Sequence, residues 1–470
     1  MAPRSYDLVI VGLGSAGLVA ADLASHLGLK VAAVERDRVG GDCLWTGCVP
    51  SKALLASARA AHAMRNADRY GLSAVEPEID SSRVLERIRR IQAEIERTDD
   101  NPELLAQKGV DVHFGSATLT GSRSVEVEGV GELQARFILL CTGSRPAIPR
   151  LPGLAETGYL TSETFWGQER LPESLLIIGG GPVAVEISQA CARLGVRTTL
   201  LQRGERILSR EEPELADRLC GLLRTDGVEV VLDADADSAG IDGDEKVVRA
   251  TVAGERRQWR VQEIMVGAGR APNLEGLGLE ELGIETTEDG VAVDGALRTS
   301  VRSVYAAGDL AGRFRFTHTA GYEGAIAVRN MFLPARSKAT ELVPWCTFTD
   351  PELAHVGTTE AEARERHGKS VQVWRHDLAE NDRARTDDAT EGEVRIVTVK
   401  GKVAGAHVLA PNAGDLIGEL TLAIEQGRRL RDLATLIHVY PTHSVTLAQL
   451  GGEASYELAD RIRFLVRSRA

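Results

Sequence analysis

The stretch DLVIVGLGSAGLVAADLASHLGLKVAAVER, residues 7–36, decides the fold. Residues 7–11 read as a buried strand, a glycine turn follows, the next apolar positions are spaced for a helix, and a second strand ends at Glu35. That succession is a βαβ unit, the building block of a doubly wound parallel sheet. In Gly12-Leu13-Gly14-Ser15-Ala16-Gly17, glycines permit a tight turn, close backbone approach to a pyrophosphate and close helix–strand contact, while the helix N-terminus supplies partial positive charge. Glu35 stands where a carboxylate can accept hydrogen bonds from a ribose.

The pattern returns in LLIIGGGPVAVEISQACARLGVRTTLLQR, residues 175–203, so two nucleotides are expected. Its turn, Gly179-Gly180-Gly181-Pro182-Val183-Ala184, has alanine in the third place, still small enough for helix and strand to approach. At the end of the following strand the acidic ribose acceptor is replaced by Gln202-Arg203-Gly204-Glu205-Arg206. Removing a carboxylate and adding guanidinium groups favours a 2′-phosphate, hence NADPH over NADH.

The remaining organisation follows from composition. A chain of 470 residues with a formal charge of −13 and a pI near 5.4 is expected to fold as several domains and to bind neither nucleic acid nor an anionic membrane surface. MAPRSYDLVIVG runs directly into an apolar strand and no apolar run reaches membrane-spanning length, which gives the cytoplasm as the expected location. Residues 81–108 space Val84, Ile88, Ile91 and Ile95 for a helix with one apolar face. Beyond residue 345, the short strands VQVWRH, GEVRIVTVKG and KVAGAHVL precede two helical stretches, an α+β terminal domain.

Six cysteines are too few for a disulfide framework, yet Cys43 and Cys48 stand close together in GGDCLWTGCVP, residues 40–50. A zinc site needs two further ligands, and no second close Cys or Cys/His pair is near. A redox disulfide has its own obstacle. Residues five apart in a regular helix have Cα atoms about 8 to 9 Å apart, beyond the roughly 7 Å a disulfide tolerates. The segment must be irregular for such a bond, and Gly40, Gly41 and Gly47 permit that. Pro50 suits the first turn of a helix continuing through SKALLASARAAHAM, which places Cys48 at a helix N-terminus and Lys52 one turn on. Both favour a thiolate at Cys48. Cys141, Cys191, Cys220 and Cys346 read as bystanders.

The dinucleotide turn followed by G-G-x-C-x4-C-x-P-S-K resembles the FAD-dependent pyridine nucleotide–disulfide oxidoreductases, the family of lipoamide dehydrogenase, glutathione reductase and mercuric reductase. The resemblance extends to CTGSRP at 141–146, VGAGRAPN at 266–273, TSVRSVYAAGDLAG at 299–312 and FTDPELAHVG at 348–357. It implies an α/β fold with two Rossmann-like units: an FAD-binding domain over 1–149 and 271–344, an NAD(P)-binding domain over 150–270, and a C-terminal dimerisation domain over 345–470. It implies that Gly12, Gly14, Ser15, Ala16, Gly17, Glu35 and Arg36 hold the adenosine half of FAD. Gly41, Asp42, Lys52, Thr142, Gly143, Ser144, Gly308 and Asp309 would complete that site. The nicotinamide nucleotide would fall to Gly179, Gly181, Pro182, Val183, Glu186, Gln202, Arg203, Arg206 and Gly269. By the same resemblance Cys43 is the interchange thiol that meets substrate, Cys48 is the sulfur against the flavin, and Lys52 pairs with Glu186 beside it. The partner is expected to be a second copy of the chain.

One departure bears on the acceptor. Disulfide-reducing members supply a histidine across the dimer, followed by Pro-Thr and then a glutamate that orients it. Here the segment reads His438-Val439-Tyr440-Pro441-Thr442-His443-Ser444-Val445, with tyrosine and valine in those places. A tyrosine with an ordinary pKa near 10 poorly replaces an imidazole that gives and recovers a proton near neutrality. Tyr440 and the spelling GGDCLWTGCVPSK look like the mercuric-reductase branch. Yet the end ADRIRFLVRSRA has no cysteine pair and no metal-binding module precedes residue 1, so mercury itself is not implied. The expected activity passes electrons from NADPH through FAD and Cys43–Cys48 to a metal ion, a quinone or an unusual disulfide. The alternatives are a dithiol/disulfide oxidoreductase in which His438 or His443 supplies the base, and a slow flavin redox sensor.

Overall fold

The computed structural model describes residues 4–467; residues 1–3 and the last three of ADRIRFLVRSRA lie outside it. The first unit runs β1 (Arg4–Val11), α1 (Ser15–His26), β2 (Val31–Glu35), with β1 beginning at Arg4 rather than at residue 7. The cysteine segment follows as α2 (Gly41–Trp45) and α3 (Cys48–Arg65), and then comes α4 (Ser81–Thr98). The strands β3 (Val110–Phe114), β4 (Ala117–Gly121), β5 (Ser124–Val127) and β6 (Gly131–Leu140) complete a sheet in the order β3-β2-β1-β6-β5-β4.

Strands at the centre of this sheet are covered on both faces, which is why Leu8, Val9 and Ile10 form a continuous apolar run with no exposed surface. β6 serves two neighbours beyond β1. Its first half pairs antiparallel with β5, and its last residues pair in parallel with Val304–Ala306. The glycines of the first turn are sterically required. A Cβ at Gly12 would lie 2.4 Å from the Cys141 carbonyl oxygen, and one at Gly17 would lie 1.9 Å from the Gly12 oxygen.

The single helix expected over 81–108 is two. α4 stops at Thr98 and a short helix, Pro102–Gln107, follows. The Asn101 side chain accepts from the Leu104 N–H at 2.9 Å, and Pro102, lacking an N–H, can begin a helix but not continue one.

The second unit repeats the pattern as strand Ser174–Ile178, helix Pro182–Arg193 and strand Arg197–Leu201, inside a five-stranded sheet whose strands all pair in parallel. The chain leaves the first unit through Ser144–Pro146 and returns through Arg270–Pro272, and these two segments pair antiparallel as a narrow ribbon. The C-terminal unit is a five-stranded antiparallel sheet flanked by the helices Ala413–Glu425 and Val445–Arg467. Two of its strands, Trp345–Thr347 and Glu352–Gly357, were not anticipated, because Pro351 interrupts the apolar pattern between them.

Candidate active site at the cysteine pair

α3 begins at Cys48 with Gly47 as its N-cap, and no side chain caps that end. Cys43 lies one short helix earlier, and the chain between them departs from helical geometry at Thr46 and Gly47. Both side chains are free thiols within hydrogen-bond reach of each other. The hydrogen bond from Cys43 draws the Cys48 thiol down to about 6. Burial opposes this, while the Thr317 hydroxyl at 3.2 Å and the Lys52 ammonium add to it. The same hydrogen bond, followed by burial, pushes Cys43 up. In the dithiol form, Cys48 therefore carries the charge and Cys43 the proton.

Lys52 lies one turn along α3. Its Nζ donates to both oxygens of Glu186, at 2.9 and 3.2 Å, and sits 4.3 Å above the Phe348 ring. Glu186, buried on the helix of the second unit, also accepts the Phe348 backbone N–H at 2.9 Å. One carboxylate thus joins the cysteine helix, the second unit and the C-terminal unit.

The first glycine turn forms a cradle. Gly14 caps α1 without a side-chain acceptor, so the first-turn N–H groups remain for an anion. Glu35 accepts from Leu13 N at 2.7 Å and from Asp37 N at 2.9 Å, which fixes its carboxylate at the mouth of that turn, with Arg36 exposed beside it. Ser15, Ala16 and Gly17 form the first turn of α1. A Cβ at Gly41 would lie 2.7 Å from the Gly14 Cα, so the cysteine segment abuts the cradle directly.

On the far side, the Arg270 guanidinium bonds Asp42 and reaches Ser144 Oγ at 2.6 Å and Asp309 at 3.4 Å. Ser144 donates to Asp309 at 2.5 Å. Thr142 and Gly143 bond the Asn273 backbone, and the Gly308 N–H donates to buried Glu323 at 2.9 Å. Burial pushes the Glu323 carboxyl up to about 7, and the hydrogen bond from Gly308 and the nearby Arg313 partly counter it. Glycines that admit no Cβ, an uncapped helix end and a fixed carboxylate are what an FAD dinucleotide requires, and the residues present fit it.

The second turn has the same features. Gly179 would place a Cβ 2.4 Å from the Gly267 oxygen, Gly181 caps its helix without a side chain, Pro182 opens it and Val183 is exposed at its mouth. Gln202 packs against Gly180 and donates to the Arg206 carbonyl at 3.1 Å. Arg203 is exposed, whereas Arg206 is engaged by Asp217 at 2.9 Å. Gly269 accepts from Ala147 across the ribbon.

The C-terminal candidates are not brought to the cysteines of their own chain by any of these bonds. Tyr440 is exposed and its hydroxyl donates to Asp382 at 2.8 Å. His438 is held at both ring nitrogens, by Glu419 at 3.1 Å and by the Leu436 carbonyl at 3.2 Å. His443 keeps a buried Nδ1 without a hydrogen bond, and burial lowers its pKa. Of the remaining cysteines, Cys141, Cys191 and Cys220 are buried, while Cys346 is half-buried, and burial, then the Glu352 and Glu186 carboxylates, push its thiol up against the opposing pull of Lys52.

Sequence reasoning passed over Thr317, Arg270, Phe348 and Glu323. Arg270 and Phe348 stand inside the motifs VGAGRAPN and FTDPELAHVG, which marked their neighbourhood but not their role. Thr317 and Glu323 carry no local signal.

Comparison with known proteins accords with this geometry. Residues 6–324 match the family model described as pyridine nucleotide-disulphide oxidoreductase, and residues 343–450 match the dimerisation domain of the same family. The chain belongs to that family. It is 36% identical to a mercuric reductase of Streptomyces lividans, over 95% of this chain and 95% of that one. It is 33% identical to a dihydrolipoyl dehydrogenase of Bacillus subtilis, over 94% and 97%. Among solved structures, the HOCl-induced flavoprotein disulfide reductase RclA from Escherichia coli superposes with a TM-score of 0.84 at 26% identity, covering 95% of this chain and 99% of that one. The protein is thus an FAD-dependent pyridine nucleotide–disulfide oxidoreductase with a C-terminal dimerisation domain. No described helix is long and apolar enough to cross a membrane.

Proposed function

We propose that the chain works as a homodimer that takes electrons from NADPH and delivers them through Cys43 and Cys48 to an acceptor needing no proton from a C-terminal histidine, a thiophilic metal ion foremost. Bound FAD supplies the two-electron relay between the nicotinamide and the disulfide. The first glycine turn and Glu35 bind its adenosine half, and Asp309, Ser144 and Thr142 line the remainder. Opening the Cys43–Cys48 bond consumes two electrons and one proton: Cys48 leaves as the thiolate, stabilised by Thr317 and Lys52, and Cys43 becomes the thiol. Cys43 then meets the acceptor. The boundaries proposed for the three domains are those read from the sequence.

The observation that carries this reading is the cysteine pair itself, two free thiols set at the break between α2 and α3, with the Thr317 hydroxyl 3.2 Å from the Cys48 sulfur and Lys52, paired with Glu186, one turn along α3. The choice of acceptor is supported by Tyr440, whose hydroxyl is taken up by Asp382, and by the likeness to a mercuric reductase and to RclA, one of whose structures is a Cu(II) complex. NADPH is supported by Arg203, exposed beside the second turn; Arg206 contributes less because Asp217 already holds it. A second reading, a dithiol/disulfide reductase, is favoured by the His438–Glu419 pair, which has the composition of an acid–base couple. Turnover with NADPH against Cu(II), Hg(II), a quinone, lipoamide and glutathione disulfide separates the two. Faster turnover with either disulfide than with every metal ion would overturn the first.

A further inference from the structure

The backbone between the two cysteines is a helix that has been interrupted. In an unbroken helix Leu44 O would accept from Cys48 N, Trp45 O from Val49 N, and Thr46 O would face Pro50, which has no N–H. The break at Thr46 and Gly47, which lets the two sulfurs approach, leaves these consecutive carbonyls without their helical donors. Each finds a donor from outside the segment. Gln92 Nε2, on α4, donates to Leu44 O and Trp45 O, both at 2.9 Å, and Trp166 Nε1 donates to Thr46 O at 2.9 Å. Gln92 and Trp166 are buried, at 5% and 7% exposure, so water does not replace them readily.

The geometry points to Gln92 and Trp166 as positioning residues that hold the segment in its disulfide-competent form and thereby set the potential of the Cys43–Cys48 couple. The inference rests on the reading of that pair as redox-active. The S–S bond forms only while the break is held, since a regular helix keeps the sulfurs too far apart. The dithiol stands in the same broken segment, but it carries no covalent bond that requires the break, so losing a donor costs it less. Removing a donor therefore weakens the disulfide relative to the dithiol. The couple, disulfide plus two electrons and one proton giving the Cys43 thiol and the Cys48 thiolate, becomes easier to reduce. Neither side chain touches a sulfur, so this effect runs through the backbone alone.

The test equilibrates the FAD-loaded full chain in dithiothreitol redox buffers, quenches with acid, alkylates the free thiols and counts them by mass. Gln92→Met and Trp166→Phe remove the donor N–H while keeping bulk. Gln92→Met is expected to weaken the disulfide about tenfold, raising the midpoint by about 30 mV, with Trp166→Phe shifting it in the same direction by less. If Gln92→Met does not fold, Trp166→Phe decides alone, because its ring can keep the edge-on packing against Phe165. A change below about twofold, or a shift to lower potential, overturns the inference, even where thermal stability falls, since lost stability with an unmoved midpoint is a purely structural role. A parent protein whose two thiols never oxidise in these buffers overturns the redox pair, and this inference with it. A parent that titrates normally beside unmoved variants overturns only the positioning role.

Discussion

The Thr317 hydroxyl lies 3.2 Å from the Cys48 sulfur, though 269 positions separate them in the chain. A donor at that distance stabilises a thiolate more than a thiol, and Thr317 lowers the Cys48 pKa after the larger effect of Cys43. Thr317→Val is expected to raise the midpoint of Cys48 ionisation above about 6. If the rise is about one unit, the thiolate fraction at the parent's midpoint falls from a half to about a tenth. Thiolate ultraviolet absorbance of the reduced protein, followed across neutrality with Cys48→Ser as the blank, reads this directly.

The Lys52–Glu186 pair offers two substitutions of opposite sign on the same group. The Lys52 ammonium lowers the Cys48 pKa and the Glu186 carboxylate raises it. Lys52→Met should therefore move the ionisation midpoint up, and Glu186→Gln should move it down. Shifts in one direction for both variants would show that packing, rather than charge, governs the sulfur.

Nicotinamide choice is read at Arg203 and Arg206. A charge-assisted hydrogen bond contributes about 1.5 kcal/mol or more, so Arg203→Ala should raise the Michaelis constant for NADPH by about tenfold and leave that for NADH nearly unchanged. Arg206→Ala should do less, because Asp217 competes for its guanidinium. Equal losses with both nucleotides would remove the basis for preferring NADPH.

Self-association is read at the strip around Tyr440. Leu436, Ile437, Val439 and Tyr440 are all exposed in the single chain, Ile437 completely. An apolar strip of this kind in the dimerisation domain is the surface on which a second copy is expected to sit. Ile437→Asp should weaken the dimer in light scattering at micromolar concentration, and an unchanged mass would place the interface elsewhere.

Stability should also respond to pH through Glu211. Burial pushes its carboxyl from 4.5 up to about 7, and Trp345 Nε1 donates to it at 2.6 Å. Between those two values the folded state binds the proton that the unfolded state has lost, so this group's contribution falls as pH rises through the window and stays lost above it. Glu211→Gln cannot ionise. Its stability relative to the parent should grow with pH over that window, by up to about 3 kcal/mol, and then level off. Thermal unfolding of both proteins across the window checks the sign.

The two βαβ units were legible in the sequence because apolar runs and glycines state them locally, and the structure keeps both. What escaped was long-range or short. The strands on either side of Pro351 are too brief for alternation to declare them, and Asn101–Pro102 divided a helix that apolar spacing alone had carried through. Cys43, Cys48, Lys52 and Glu186 were singled out by their motifs, and the structure brings them together. Gln92 was not, since a polar residue among Ile88, Ile91 and Ile95 reads as solvated until the fold turns it inward. Tyr440 was identified by its place in the motif, but its Asp382 partner lies 58 positions away and only the fold supplies it.

The narrow ribbon of Ser144–Pro146 against Arg270–Pro272 makes the middle of the chain a cassette. The second glycine turn, Arg203 and Arg206 enter and leave through two adjacent strands, while Cys43, Cys48, the first glycine turn and Asp309 belong to the frame outside. A middle segment from a relative of opposite nucleotide preference can be spliced at these two points, with Glu186 kept to meet Lys52 and Trp166 kept to meet the Thr46 carbonyl. Such a chimera would exchange the electron donor without disturbing the dithiol that serves the acceptor.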